Sequence, residues 1–159
     1  MSNRNSAANY GDNPVLPKIE SMAPKPMTPY AITKLDGEYY LKMYYEQYNL
    51  QTVSLRYFNV FGPRQNPKSA YAAAVPIFIN KALKNEPISI YGDGLQTRDF
   101  IYVKDVVSAL IKASKIEENH FLNIGTGIET SVNDLANSMK IQFKSEINPI
   151  YKPAREGEL

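Results

Sequence analysis

The sequence contains no cysteine and a single histidine, His120. Without thiolates there is neither a disulfide framework nor a thiolate metal site, and one imidazole cannot form a histidine cluster, so no metal is expected. No run of eighteen uninterrupted apolar residues occurs, which removes the usual signal of a membrane-spanning helix. The opening MSNRNSAANYGDNP is polar and lacks the apolar core of a signal peptide, so the expected location is the cytoplasm. An excess of one charge is missing too. The 18 basic and 16 acidic side chains leave a formal charge of +2, and no run exceeds the pair Glu117-Glu118. That balance supplies no long-range field for nucleic acid or an acidic membrane, while leaving room for a local basic pocket.

What is present is enough for a fold. A chain of 159 residues, 43% of them hydrophobic, can bury one ordinary core, which predicts one globular domain rather than two sizeable ones. Residues 1 to 28 carry Pro14, Pro17, Pro24 and Pro26 among Asn, Ser and Gly, and read as loop. From Thr28, an N-cap residue with Pro29 behind it, Leu41, Tyr44, Tyr45 and Tyr48 recur at helical spacing and predict a long helix. The β-branched and aromatic TVSLRYF predicts a strand from Thr52 to Phe58, followed by an irregular GPRQNPKSAY. VPIFINKALK (75 to 84) predicts a helix, ISIY a short strand, and GDGLQT a turn whose glycines allow positive φ. Lys104 to Lys115 predicts a helix with an apolar stripe through Val107, Leu110 and Ile111, and Asp105 reads as a helix-start residue. FLNIG predicts a strand and Ser131 to Phe143 a last helix capped by Ser131. Strands alternate with helices, so the class is α/β with a mainly parallel sheet.

One pair stands out chemically. Tyr30 and Lys34 are four apart, so on a helix both side chains leave the same face one turn from each other. A lysine ammonium beside a phenol favours the phenolate and lowers its pKa from near 10, which suits the tyrosine to act as a base. In a chain with twelve tyrosines the spacing alone leaves open that Tyr30 packs and Lys34 is solvated.

SAANYGD, PYAITK, SLRYFNVFGPRQ, YGDGLQTRDFIYVKDV, FLNIGTG and PAREGE follow one another in this order. Together they resemble the extended short-chain dehydrogenase/reductase family, and most of all its UDP-sugar 4-epimerases. The resemblance covers nearly the whole chain from Ser6. It implies that Ser6, Tyr30 and Lys34 form the catalytic set. Tyr30 would take the proton of the sugar 4-hydroxyl, Lys34 would assist it and bond the nicotinamide ribose of NAD, and Ser6 would position the oxygen. It also implies that Phe58 contacts the nicotinamide end and that Asn59 bonds the sugar nucleotide. Ala74 and Val75 would offer helix N-terminal N–H groups to the diphosphate, Tyr91 would pack on uracil, and Arg98 and Arg155 would grip phosphate oxygens. Arg98 could equally bond Asp99 or Asp105. The related dTDP-glucose dehydratases and UDP-glucuronate decarboxylases carry an acidic residue where Ala7 and Ala8 stand, which favours epimerisation here. RQNPKSAYAAAVP resembles epimerases that accept N-acetylated as well as plain hexoses.

The chain departs from the family pattern at its start. A nicotinamide enzyme of this fold uses a strand, a GxxGxxG turn and a helix that receives the pyrophosphate, and no such motif occurs. The expected architecture is a partial Rossmann-like parallel sheet lacking the glycine-rich half, plus the small C-terminal substrate-binding lobe. Residues 1–60 would form the remaining sheet with the catalytic helix, and 61–159 mostly the lobe, with strand 121–125 returning to the sheet. In the family a buried apolar strand precedes the serine, a place MSNRN should not fill, and Asn9 stands where Val or Ile is usual. Both ends read as cut. Expected partners are a UDP-sugar and a second copy of the chain, because the tyrosine-rich helix face would otherwise be bare, with no nucleic acid and no membrane. As an isolated chain it is expected not to turn over. A decarboxylase, dehydratase or reductase of the same superfamily, or a non-catalytic self-associating remnant, are the alternatives.

Overall fold

The computed structural model describes residues 2–68, 73–144 and 148–154, with side chains described from Ala7 onward. Along the chain run β1 (Ser2–Ser6), a 3₁₀ turn (Ala7–Tyr10), α1 (Pro29–Tyr48), β2 (Val53–Tyr57), β3 (Asn59–Phe61) and α2 (Ala74–Leu83). There follow β4 (Ser89–Tyr91), β5 (Thr97–Arg98), β6 (Phe100–Tyr102), α3 (Val103–Ala113), β7 (His120–Ile124), β8 (Thr130–Ser131), α4 (Val132–Phe143) and β9 (Ile150–Lys152). Instead of the single core that length suggested, the chain forms two compact units, one of residues 1–60 and 101–127 and one of 61–100 and 128–159.

The first unit is a parallel sheet in the order β1-β2-β7. Leu55 of β2 is fully buried and packs with Val53 and, from α3, Ala113, with Leu110, Leu122 and Ile124 around them. The loop expected over residues 1 to 28 is therefore corrected at its start, since Ser2–Ser6 pairs in parallel with Val53–Tyr57, Ser2 opposite Val53 and Ser6 opposite Tyr57. An apolar strand is not required there because β1 lies at the edge of this sheet, where pairing is set by the backbone and polar side chains are tolerated.

Helix α1 begins as its sequence dictates. Thr28 holds an extended backbone and its Oγ accepts the Ala31 N–H at 3.1 Å, with Pro29 filling a first-turn position that needs no donor. It stops at Asn49, whose left-handed backbone (φ 52°) lets its N–H bond the Tyr45 carbonyl. The buried row is Ala31, Leu35, Glu38 and Leu41, whereas Tyr44 and Tyr48 stack 5.5 Å apart on exposed surface. The stripe expected on α3 is corrected as well. Val106, Leu110 and Ala113 face the core while Val107 and Ile111 are exposed, a rotation of the apolar face by about one residue.

The second unit has its own core of Val75, Phe78, Ile88, Ile90, Leu135 and Ala136, formed where α2 and α4 pack together. β4 pairs in parallel with β9, and β5 antiparallel with β8. Ser131 caps α4 reciprocally, its Oγ accepting the Asp134 N–H and the Asp134 carboxylate accepting the Ser131 N–H. The GDGLQT turn has Gly92 and Gly94 at φ 74°, and the Gly94 carbonyl accepts the Asn133 N–H at the start of α4. No described helix is long and apolar enough to cross a membrane.

Candidate functional site

In a parallel sheet with crossover helices, ligands meet the carboxyl ends of the strands. In the first unit those ends carry Ser6 on β1, Tyr57 and then Phe58 after β2, and Ile124 followed by Gly125 after β7. The Phe58 N–H donates to the Ile124 carbonyl at 3.1 Å, which continues the ladder past the last paired residue. Because β1 and β2 are parallel, α1 must run back between them, so its first turn starts from the carboxyl end of β1. That turn holds Tyr30, and the next holds Lys34. The Lys34 Nζ lies 5.4 Å from the centroid of the Tyr30 ring, so the i,i+4 pair seen in the sequence is a cation over a phenol in space. Tyr30 is 58% exposed and Lys34 half-buried, which leaves the phenol open to a ligand. Asn59, half-buried, opens β3. Ser6 is fixed by backbone pairing at the end of β1.

Behind this pair lies a network that sequence reasoning missed. Arg56 of β2 donates from Nε to Glu38 Oε1 at 2.8 Å and from Nη2 to Glu38 Oε2 at 2.6 Å, a two-pronged ion pair with side chains 4% and 2% exposed. Its Nη1 donates to the Tyr10 hydroxyl at 2.8 Å, and Tyr10 donates to Asn123 Oδ1 on β7 at 2.7 Å. Asn9, the unexpected polar residue of the 3₁₀ turn, is fully buried and donates to Glu38 Oε1 at 2.9 Å. Asn123 in turn binds the loop before α1, its Nδ2 donating to the Lys18 carbonyl and its N–H to the Glu20 carboxylate. Burial alone would push the Arg56 guanidinium down, but its bonds to Glu38 and Tyr10 hold it above its ordinary value. The signal available was a charged Arg56 inside the apolar TVSLRYF, which a buried strand tolerates only with a partner.

The remaining candidates lie in the second unit. Ala74 and Val75 form the first turn of α2, which has no side-chain cap, and the Val75 side chain is buried in that unit's core. Tyr91 ends β4, half-buried, with its carbonyl accepting from Gln96 Nε2 at 3.1 Å and Lys152 Nζ 5.9 Å over its ring. Arg98 on β5 is half-buried and donates from Nη1 to the Thr97 carbonyl at 2.9 Å. Arg155 lies outside the described residues. A cleft of about 240 Å³ in this unit is lined by Ala82, Ile88, Ala136, Lys140, Asn148 and Tyr151 among others, and none of the expected site residues borders it.

The chain resembles known proteins closely. It is 45% identical over 150 residues to a putative UDP-glucose 4-epimerase of Methanocaldococcus jannaschii, covering 94% of this chain and 48% of that protein. Over 130 residues it is 39% identical to the human dTDP-D-glucose 4,6-dehydratase, covering 81% of this chain and 36% of that protein. Among solved structures, the UDP-N-acetylglucosamine 4-epimerase of Methanobrevibacter ruminantium in complex with UDP-N-acetylmuramic acid superposes with a TM-score of 0.96. That structure is 42% identical, over 99% of this chain and 51% of that one. The chain thus spans about half the length of the curated relatives it matches. The profile of the NAD dependent epimerase/dehydratase family matches residues 3–125, and the chain belongs to that family.

Proposed function

We propose that this chain is the substrate-facing portion of an NAD-dependent UDP-sugar 4-epimerase acting on UDP-glucose and UDP-galactose or their N-acetylated forms, with Tyr30 as its base. The observation that carries this reading is the Lys34 ammonium 5.4 Å over an exposed Tyr30 ring at the start of the crossover helix. Tyr30 takes the proton from the sugar 4-hydroxyl and returns it. Lys34 stabilises the negative charge that develops on the phenol oxygen and offers its donors to the cofactor ribose, while Ser6 holds the sugar oxygen. NAD, when bound, supplies the acceptor that takes and gives back the hydride of C4. The residues present suit the nicotinamide end of that group, with a half-buried ammonium and a half-buried Phe58 at the strand ends, and the chain carries no GxxGxxG for its pyrophosphate.

In this reading most of the residues that hold the nucleotide belong to the second unit. The first-turn N–H groups of Ala74 and Val75 face the diphosphate, Arg98 and Arg155 neutralise it, Tyr91 packs on uracil, and Asn59 bonds the sugar nucleotide. Titration of the chain with UDP-glucose and UDP-N-acetylglucosamine by calorimetry is expected to show saturable binding. Arg98→Ala is expected to weaken it about 10- to 100-fold, the range for a hydrogen bond to a charged group. Heat of dilution alone from both sugars would contradict the proposal. The isolated chain with UDP-glucose and NAD is expected not to yield UDP-galactose, and its formation would overturn that part.

The human dehydratase similarity favours a second reading, a dTDP-sugar dehydratase. Against it stand Ala7 and Ala8 directly after Ser6, which give elimination of water no carboxylic acid. Preferential binding of dTDP-glucose over UDP-glucose in the same titration would decide for it.

A further inference from the structure

Glu38 and Arg56 have no role in the proton transfer described above, yet their enclosed ion pair joins α1, the turn after β1, and β2. We propose that the Glu38–Arg56 pair is a positioning device that fixes Tyr30 and Lys34 relative to the end of β1, an inference that rests on reading those two residues as the catalytic pair. Glu38 lies four residues beyond Lys34 and eight beyond Tyr30, so it sits about 40° and 80° around the helix from them and about 6 and 12 Å along it. Whatever fixes Glu38 therefore fixes the rotation and axial placement of the first turn.

The other contacts of α1 cannot do this as sharply. Ala31, Leu35 and Leu41 bury methyl and methylene surface, which tolerates small slides because dispersion is not directional, and the hydrogen bond from Thr52 Oγ1 to the Leu41 carbonyl is a single long one at 3.4 Å, ten residues or more beyond Tyr30. A two-pronged guanidinium–carboxylate pair at 2.8 and 2.6 Å is strained in both bonds when either partner moves by an ångström, and both side chains are buried away from the surface. Tyr30 inherits its placement from the helix, since it is 58% exposed and its ring lies against Lys34, one turn further along the same helix.

The pair also grips the segment that follows Ser6. Asn9 donates to Glu38 and Tyr10 accepts from Arg56, only three and four residues after Ser6, while Arg56 itself stands beside Tyr57, the residue opposite Ser6. One carboxylate and one guanidinium thus hold α1, the turn after β1 and β2 in a single arrangement. Glu38 and Arg56 act as positioning residues, through Tyr30 and Lys34, and not as catalytic residues.

The test uses the absence of cysteine. Ala8→Cys, exposed on the 3₁₀ turn, carries a nitroxide label, and its paramagnetic relaxation effect is read at the backbone amides of residues 30–34 in the full chain. Arg56→Lys keeps the charge but loses the fork. It is expected to change those effects by roughly 1.5-fold or more, the consequence of a displacement of about 1 Å, the scale at which misplaced catalytic groups lose about 10²-fold in rate. Tyr10→Phe, which removes the bonds to Arg56 and Asn123 but leaves the Glu38–Arg56 fork in place, is expected to change them in the same direction by less. A pair that only added stability would lower the melting temperature and leave the effects unchanged in the folded protein, and that result in both variants overturns the proposal. Should Arg56→Lys not fold, Tyr10→Phe decides alone. No turnover is measured, so failure of the epimerase reading, seen as absent UDP-sugar binding, is distinguishable from failure of the positioning role.

Discussion

At the scale of single residues, the buried Arg56 and Glu38 carry the sharpest stability prediction. Removing one partner leaves an uncompensated charge in the core, so Glu38→Gln is expected to lower unfolding free energy by about 3–5 kcal/mol, measured by denaturant titration. A change below 1 kcal/mol would mean that the pair is solvated. The surface pairs behave differently. Lys25 holds the Asp12 carboxyl, and Lys81 the Glu86 carboxyl, below their ordinary values by hydrogen bonds, both carboxylates lying on the surface. A depressed carboxylate pKa contributes stability above the unfolded value near 4 that is lost as pH falls through the folded one. Asp12→Asn is therefore expected to change the melting temperature little at pH 7, and by less as pH falls below the ordinary carboxylate range. Legibility follows the same division. The Tyr30–Lys34 pair could be read from the sequence because a helix brings i and i+4 together. The contacts of Arg56 with Glu38, Tyr10 and Phe121 span 18, 46 and 65 residues and needed the topology first.

At the scale of elements, the caps were written locally and the short strands were not. Thr28-Pro29 and Ser131 with Asp134 announce the starts of α1 and α4, because each cap is satisfied within three residues. Ser131→Ala is expected to destabilise by about 1 kcal/mol, with thermal unfolding as the check. β5, β8 and β9 are two or three residues long and owe their form to a partner rather than to their own pattern. β1 escaped notice for the related reason that SNRNS has no strand character until Val53–Tyr57 pairs with it. Gly94 joins the two kinds of signal. Its φ of 74° was legible as a turn requirement, but a Cβ there would also collide with Asn133 Oδ1, a contact only the fold reveals. Gly94→Ala is therefore expected to destabilise by more than about 1 kcal/mol, the usual scale of such strain, and a neutral result would show that Asn133 simply rotates away.

At the scale of the whole molecule, the exposed apolar groups on α1 allow a test of association. Ile32, Tyr40, Tyr44 and Tyr48 are each between 45% and 68% exposed, and the expectation from the sequence of a second copy as partner predicts a mass of at least two chains by light scattering. Tyr44→Lys with Tyr48→Lys is expected to shift it toward one chain. The central claim, Tyr30 as the base of a UDP-sugar epimerase, is tested most directly on a polypeptide in which a strand–GxxGxxG–helix half precedes this chain. Interconversion of UDP-glucose and UDP-galactose is followed by proton NMR. The account predicts interconversion that falls about 10²- to 10⁴-fold in Tyr30→Phe without loss of UDP-sugar binding. An unchanged rate in that variant, or loss of water or carbon dioxide from the sugar in place of epimerisation, would contradict it.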